Sequence, residues 1–477
     1  LKKHFISNLL LLIFLNLLIK PFWFFGIEVG VQNRVGEEVY GFYFSLFSFA
    51  FILNMLLDAG INNYNNRAIS RDPALLKGNL AAIVPLKFVL SIVYAGAVLL
   101  TGKILGYSRE QFSLLWVLVL NQFLASFILY FRSNLSGLQY FRTDSLLSVM
   151  DRSLMILFTG LLLWGHVARQ PFMIEWFVYA QTASYALTLL LAASIVRYRS
   201  GPFLKNLDVK ASLKILKLSY PFGLLILLMA LFNRLDSVML ERLLENGREQ
   251  AGIYAQSFRI FEAASQFSFL FAMLLLPMFS RLIRLKGDIN GLVRIALPLL
   301  MTAGLSGAIS CNWYKTEIMA LLYDSHTAYS SVIFGWLMIS FLFVSTTYLY
   351  GSLLTANNNL RLLNILASFT VLLNLSLNLI LIPRHQAQGA ALASLFSQGF
   401  FAISQWFMAT RLLRISWNAD LMVRLLGFLV INLAAGYFST LIPSWVAGFA
   451  VLLVTCLISA ILLGLIRLTE FLRILTD

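Results

Sequence analysis

Cysteine is nearly absent: Cys311 and Cys456 stand far apart in apolar segments, with no CxxC pair and no histidine cluster near them. That argues against both a disulfide framework and a zinc site. Histidine is as scarce, since His4, His166, His326 and His385 scatter over terminal and loop positions. No Gly-rich phosphate loop, metal-ligand spacing or nucleophile elbow appears, so ATP hydrolysis and membrane-embedded hydrolysis lack residues to perform them. The chain therefore reads as a non-enzyme, with no catalytic residue, metal or cofactor expected. Charge is also sparse, at 12% of 477 residues. The net charge of +15 does not point to nucleic acid, because no folded basic domain stands apart from the apolar runs.

Those apolar runs dominate what is present. Hydrophobic residues make up 60% of the chain and the mean hydropathy is +0.82, more than a water-soluble core of this size could bury. The chain is an integral membrane protein. The runs are about 20 residues long and show no period-2 alternation, which excludes barrel strands and leaves helices. Phe inside the runs and Trp or Tyr at their ends add an interfacial signature.

Charges, Gly and Pro bound fourteen spans, near 5–27, 39–60, 79–101, 112–132, 145–165, 172–196, 214–240, 252–278, 291–313, 329–354, 361–383, 387–410, 421–441 and 445–467. No small-residue cleavage site follows the first, so it is expected to be a span and not a signal peptide. With the amino terminus in the cytoplasm, 24 of the 36 Lys and Arg residues lie inside and 9 outside. That asymmetry predicts both termini cytoplasmic and attraction to anionic headgroups. The basic stretch 197–213 is expected to be a cytoplasmic linker, either with a short helix lying on the inner leaflet or as a plain positively charged loop. Sequons at Asn134 and Asn374 read as chance, one at a helix end and one inside a span.

"GEEVYGFY" at 36–43 and "GREQAGIY" at 247–254 share Gly, Glu, Gly and Tyr at a spacing of 211 residues. Each opens the second span of its half. Six spans separate the two, an even number, so the halves enter the membrane in the same sense. The expected fold is an all-α polytopic membrane protein of about fourteen transmembrane helices. Its parts are an N-terminal lobe (1–196), the linker (197–213), a C-terminal lobe (214–410) and two additional helices with a cytoplasmic tail (411–477).

Charges well inside the spans are costly, roughly 2.5 to 3.5 kcal/mol each on insertion scales, so each should face protein or water. They are Lys87, Arg234, Asp236, Arg259 and Glu262, with Asp58 near the inner end of span two. Arg259 and Glu262 share a helix face, whereas Arg234 and Asp236 diverge and need partners on other helices. All four are expected at similar depth as one cluster. The positions 211 residues earlier are Trp23, Phe25, Ser48 and Phe51, so the cluster is not a requirement of the repeat. Arginine forks flanked by carboxylates suit a diphosphate; an interhelical ionic lock is the other reading. Lys87 is either a cavity cation or a side chain snorkelling to the inner headgroups. Asp58 is expected to neutralise Arg67 or cap a backbone group, and with Asp236 and Glu262 is a candidate coupling carboxylate. Asn62, Asn63, Asn65 and Asn66 form either a sugar-binding run or a solvated loop.

The span-two segment "VGEEVYGFYFSLFSFAFILNMLLDAGI", the stretch "RLDSVML" followed by "GREQAGIYAQSFRIFE", and "QGAALASLFSQ" at 388–398 resemble the polysaccharide-exporter branch of the multidrug/oligosaccharidyl-lipid/polysaccharide transporter superfamily. The resemblance implies two lobes forming a V-shaped, cationic cavity. It also implies transport of undecaprenyl-pyrophosphate-linked oligosaccharides, such as O-antigen units, across the bacterial inner membrane. A polysaccharide polymerase and a chain-length regulator are the partners it suggests, besides membrane lipids. Three alternatives stay open: a lipid II flippase, a cation-coupled multidrug exporter, and a glycosyltransferase or polymerase. The last would call for a larger outside loop.

Overall fold

The computed structural model describes residues 14–16, 18–165, 170–200, 209–415 and 419–466. Among them no strand occurs, and thirteen helices are long and apolar enough to cross a membrane: α1 Phe14–Val35, α2 Glu37–Arg71, α3 Leu75–Ile104, α4 Arg109–Gly137, α5 Phe141–Trp164, α6 Ile174–Ser200, α7 Tyr220–Leu243, α8 Gly247–Leu285, α9 Ile289–Trp313, α10 Thr327–Ala356, α11 Leu360–Leu413, α12 Ala419–Ser439 and α13 Trp445–Leu462. Their lipid faces keep large side chains exposed, such as Val423, Leu426 and Val430 along α12. The protein is a multi-pass membrane protein.

The 54 residues of α11 would reach about 80 Å as one rod, far beyond a hydrocarbon core of about 30 Å. The helix is instead broken at Gln386 (φ 51, ψ −133) after Pro383. It doubles back so tightly that a Cβ on Gly389 would lie 2.2 Å from the Leu381 carbonyl oxygen. α11 is therefore two spans, 361–383 and 387–410, and the described residues make fourteen crossings. Gly389→Ala is expected to pry this hairpin apart at a cost of about 1–3 kcal/mol, read as a lower melting temperature in detergent.

Contacts group the chain into two units, Leu1–Gly252 and Ile253–Asp477. In the first, Ile61, Ile69, Ile83, Phe127, Tyr130 and Ile215 are among the side chains of one buried cluster. In the second, α12 and α13 pack on α9 through Phe428, Leu452 and Cys456 around Tyr314. Tyr314 donates to Ser439 Oγ at 2.8 Å.

Three local expectations change. The helix containing α7 begins at Val209 and runs to Leu243, so residues 209–213 of the expected linker are helical and continuous with that span. α6 continues to Ser200, and residues 201–208 of the expected linker lie outside the described ones. The asparagine run is not a loop but part of helix Ile61–Arg71. There Asn65 is buried and donates to Ser133 Oγ (2.9 Å) and Asn134 Oδ1 (3.1 Å). Asn134 and Asn374 are both buried inside helices.

The repeat has a packing meaning. The equivalent glycines of the two motifs, Gly41 and Gly252, lie where α2 and α8 cross. A Cβ on Gly41 would sit 1.9 Å from the Arg248 carbonyl oxygen, and one on Gly252 would sit 2.0 Å from that of Glu37.

Candidate functional site

α2 is not one continuous rod. It comprises helices Glu37–Ile52, Met55–Asp58 and Ile61–Arg71, with Ala59 (φ 45) and Gly60 (φ 84) left-handed at the second break. Such a break frees carbonyls that hydrocarbon cannot satisfy. Lys87, from α3, meets them: its ammonium is fully buried, donates to the Leu57 carbonyl (2.9 Å) and Ser126 Oγ (2.8 Å), and lies 3.6 Å from Asp58 Oδ1. The rings of Phe127 and Tyr130 flank it at 5.7 and 5.8 Å. The side chain thus does not reach for the headgroups. Asp58 also accepts from the Asn62 backbone N–H at 3.2 Å, which is the capping role read from the sequence.

Arg234 and Asp236 are buried on α7. As their spacing requires, Arg234 finds its neighbours on another helix: its guanidinium lies over Phe47 (5.7 Å) and Phe51 (5.1 Å) of α2. In the second unit Arg259 pairs along α8 with Glu262, Nη1 to Oε2 at 3.0 Å, the arginine buried and the carboxylate partly exposed. The contact partition places Arg234 and Asp236 in the first unit and Arg259 and Glu262 in the second.

A second charged group in the first unit was not singled out from the sequence. The sequence boundary closes span one at residue 27, but α1 continues through a π-helical turn, Trp23–Glu28, to Val35. Glu28 therefore lies inside the membrane helix, buried, and accepts a hydrogen bond from Tyr40. Arg152 of α5 lies 5.2 Å over the ring of Trp23, and its charge is acted on by Tyr185, Asp151 and Glu28. The helix ends only at Gly36 (φ 80), and no charge pattern in the sequence marks Glu28 as buried before Tyr40 is placed against it. The first-half equivalents of the second-half charges are thus not inert: Trp23 holds the guanidinium of Arg152, and Phe51 that of Arg234.

Chemically, a cation over a ring face gains roughly 0.5–2 kcal/mol, which offsets only part of the cost of its place in the membrane. A guanidinium fork matches phosphate oxygens in shape. Among the described residues no group of three or more His, Cys, Asp or Glu side chains comes together to hold a metal ion. The second unit adds buried amides along α11, where Asn378 donates to Asn374 at 3.1 Å, and a Ser268–Ser345 hydroxyl contact of 2.8 Å.

Residues 5–283 match the Polysacc_synt family, described as polysaccharide biosynthesis protein. The chain belongs to this family. No curated protein matches it in sequence. Among solved structures, a lipid II flippase MurJ in an inward closed conformation is similar over 98% of this chain and 100% of its own, with a TM-score of 0.74 at 14% identity. An inward-facing multidrug resistance MATE family transporter of the MOP superfamily is similar over 85% and 99%, with a TM-score of 0.64 at 14% identity. A mutant of the Vibrio cholerae MATE transporter VcmN is similar over 86% and 98%, with a TM-score of 0.56 at 17% identity. These likenesses are of fold. With the family they bear out the resemblance read from the sequence.

Proposed function

We propose that this protein moves undecaprenyl-pyrophosphate-linked oligosaccharide units, of O-antigen or another surface polysaccharide, from the cytoplasmic to the periplasmic leaflet by alternating access. It does so in the bacterial inner membrane with both termini cytoplasmic, two six-helix lobes (1–196 and 214–410), related as a parallel repeat about the membrane normal, rocking against each other, and residues 411–477 appended. The observation that carries the reading is a set of guanidiniums kept deep in membrane helices of a polysaccharide biosynthesis family: Arg234 over aromatic rings, and Arg259 beside Glu262. A diphosphate offers the oxygens such forks bind. Asp236 and Glu262 would hold the guanidiniums between substrates or carry a coupling proton. Lys87 and Asp58 would shape the first lobe. A polymerase and a chain-length regulator would act on the delivered units.

A second reading, a lipid II flippase, is favoured by the fold likeness that spans both chains almost entirely. Its substrate class is also a lipid-linked diphosphate sugar, so the cationic groups fit both.

Arg234→Ala and Arg259→Ala are each expected to lower surface glycan display by about 10- to 100-fold, the worth of a charge-assisted hydrogen bond, with membrane insertion unchanged. Immunoblots of surface glycan beside fusion fluorescence check this. Normal display by a well-expressed double variant rejects the phosphate role. Lysis with accumulated cell-wall precursor on depletion, in place of glycan loss, selects the lipid II reading.

A further inference from the structure

A cavity of about 300 Å³ opens in the second unit where the start of α9, the end of α11 and the start of α12 meet. Arg294 comes from the first turns of α9 and Arg411 from the last turn of α11. The Arg411 guanidinium lies 4.3 Å over the ring of Phe407, and Trp406 with the apolar side chains of Val293 and Leu421 completes the wall. Among the described residues that line it, none is acidic. Asp420 lines a neighbouring pocket together with Arg294 and Arg424; Arg424 pairs with it at 2.8 Å and also donates to the Leu463 carbonyl at 3.2 Å. The cavity itself presents two guanidiniums against an apolar, aromatic wall. Its volume is at the lower end of small-molecule sites.

Cationic forks over an apolar wall fit an amphiphile with an anionic head. An arginine pair takes phosphate oxygens bidentately, and a Trp at the membrane boundary prefers the headgroup level. In the orientation proposed above, on which this inference rests, the cavity lies at the level of the inner leaflet's headgroups, where anionic lipid is attracted to basic pockets between helices.

We propose that this cavity binds the phosphodiester headgroup of an anionic glycerophospholipid of the inner leaflet. Arg294 and Arg411 hold the phosphate, and an acyl chain lies along the apolar wall. The site is distinct from the guanidiniums assigned to the transported substrate. The bound lipid ties the appended helix α12 to α9 and α11.

The full-length protein, purified in neutral detergent, is titrated with phosphatidylglycerol or phosphatidylcholine, and binding is read by native mass spectrometry and by the shift in melting temperature. Wild type is expected to retain phosphatidylglycerol at least about tenfold better than the Arg294→Gln/Arg411→Gln double variant. Equal retention by a double variant that melts like wild type in phosphatidylcholine overturns the proposal. Should that variant not fold, wild type alone decides, and a preference for phosphatidylglycerol over phosphatidylcholine of less than roughly twofold overturns it as well. Glycerol 3-phosphate separates a lipid from a free phosphoester: protection by it equal to that by the lipid overturns the lipid assignment. No transport is read in these measurements, so their failure leaves the flippase reading intact. Loss of the flippase reading through Arg234 and Arg259 leaves lipid retention measurable.

Discussion

Lys87→Ala is expected to cost about 3–5 kcal/mol of stability, the range for removing one partner of a buried ion pair. The ammonium is fully buried, lies 3.6 Å from Asp58, and satisfies the Leu57 carbonyl and the Ser126 hydroxyl. Without it, the carbonyl freed by the break in α2 keeps only the 3.3 Å hydrogen bond from Ser126 Oγ, and the half-buried Asp58 carboxylate loses its cation. The rings of Phe127 and Tyr130 flank the ammonium, whereas the Asp58 side chain keeps 22% exposure, which sets the cost toward the lower end of that range. Asp58→Asn is expected to cost less, since Lys87 keeps its two oxygen acceptors and the amide still accepts from Asn62 N–H. The double variant Lys87→Met/Asp58→Asn should recover part of the loss, because both charges leave together while the methionine fills the space. Unfolding of the four proteins in one detergent measures the cycle. A Lys87→Ala protein that melts with wild type would strip the clamp of energetic content. So would strict additivity, which would mean that Lys87 and Asp58 do not sense each other.

This clamp also marks how far the sequence could be read. A lysine in "VPLKFVL" announces that something in the membrane must answer a charge, but not what. The answer is a carbonyl 30 residues earlier, freed where the chain turns through left-handed Ala59 and Gly60. The segment "LLDAGINN" shows small and polar residues there, yet hydropathy alone cannot tell a break from a helix end. Spans were legible because a 20-residue apolar run has one low-energy solution in lipid. Even the doubled-back α11 could be read, since "PRHQAQG" sets polar residues between two such runs. Glu28 was not legible for the same reason in reverse. A carboxylate after an apolar run looks like a headgroup residue until Tyr40, on the next helix, supplies its hydrogen bond. Arg152 likewise looks like an inside charge until Trp23 is seen beneath it. What the sequence withheld in each case is a tertiary neighbour, and the neighbours here are aromatic rings and main-chain oxygens, which no charge pattern reveals.

Gly252→Ala and Gly41→Ala are each expected to destabilise by about 1–3 kcal/mol or more, the cost of forcing a methyl into a closed contact. The new Cβ would lie 2.0 Å from the Glu37 carbonyl oxygen in the first case and 1.9 Å from that of Arg248 in the second. Side chains can rotate away from a clash, but these contacts are with main chain, so one helix must shift by about 1 Å or more to reach van der Waals distance. Such a shift would also strain the 2.8 Å hydrogen bond from Gln32 Nε2 to the Gly252 carbonyl. The geometry is reciprocal: each glycine meets the carbonyl of the residue four before its counterpart, which accounts for the glycine the two motifs share at positions 41 and 252. Reciprocity makes a sharper forecast than either single change. One displacement relieves both collisions, so the double variant should lose clearly less than the sum of the singles. Gly78→Ala serves as the control, because nothing lies within 4 Å of a Cβ there, and it should melt with wild type. If the two variants at the crossing behave like that control, the shared motif reflects common ancestry of the halves without the packing constraint inferred from it. If the singles add, the two collisions are independent, and the crossing does not move as one body.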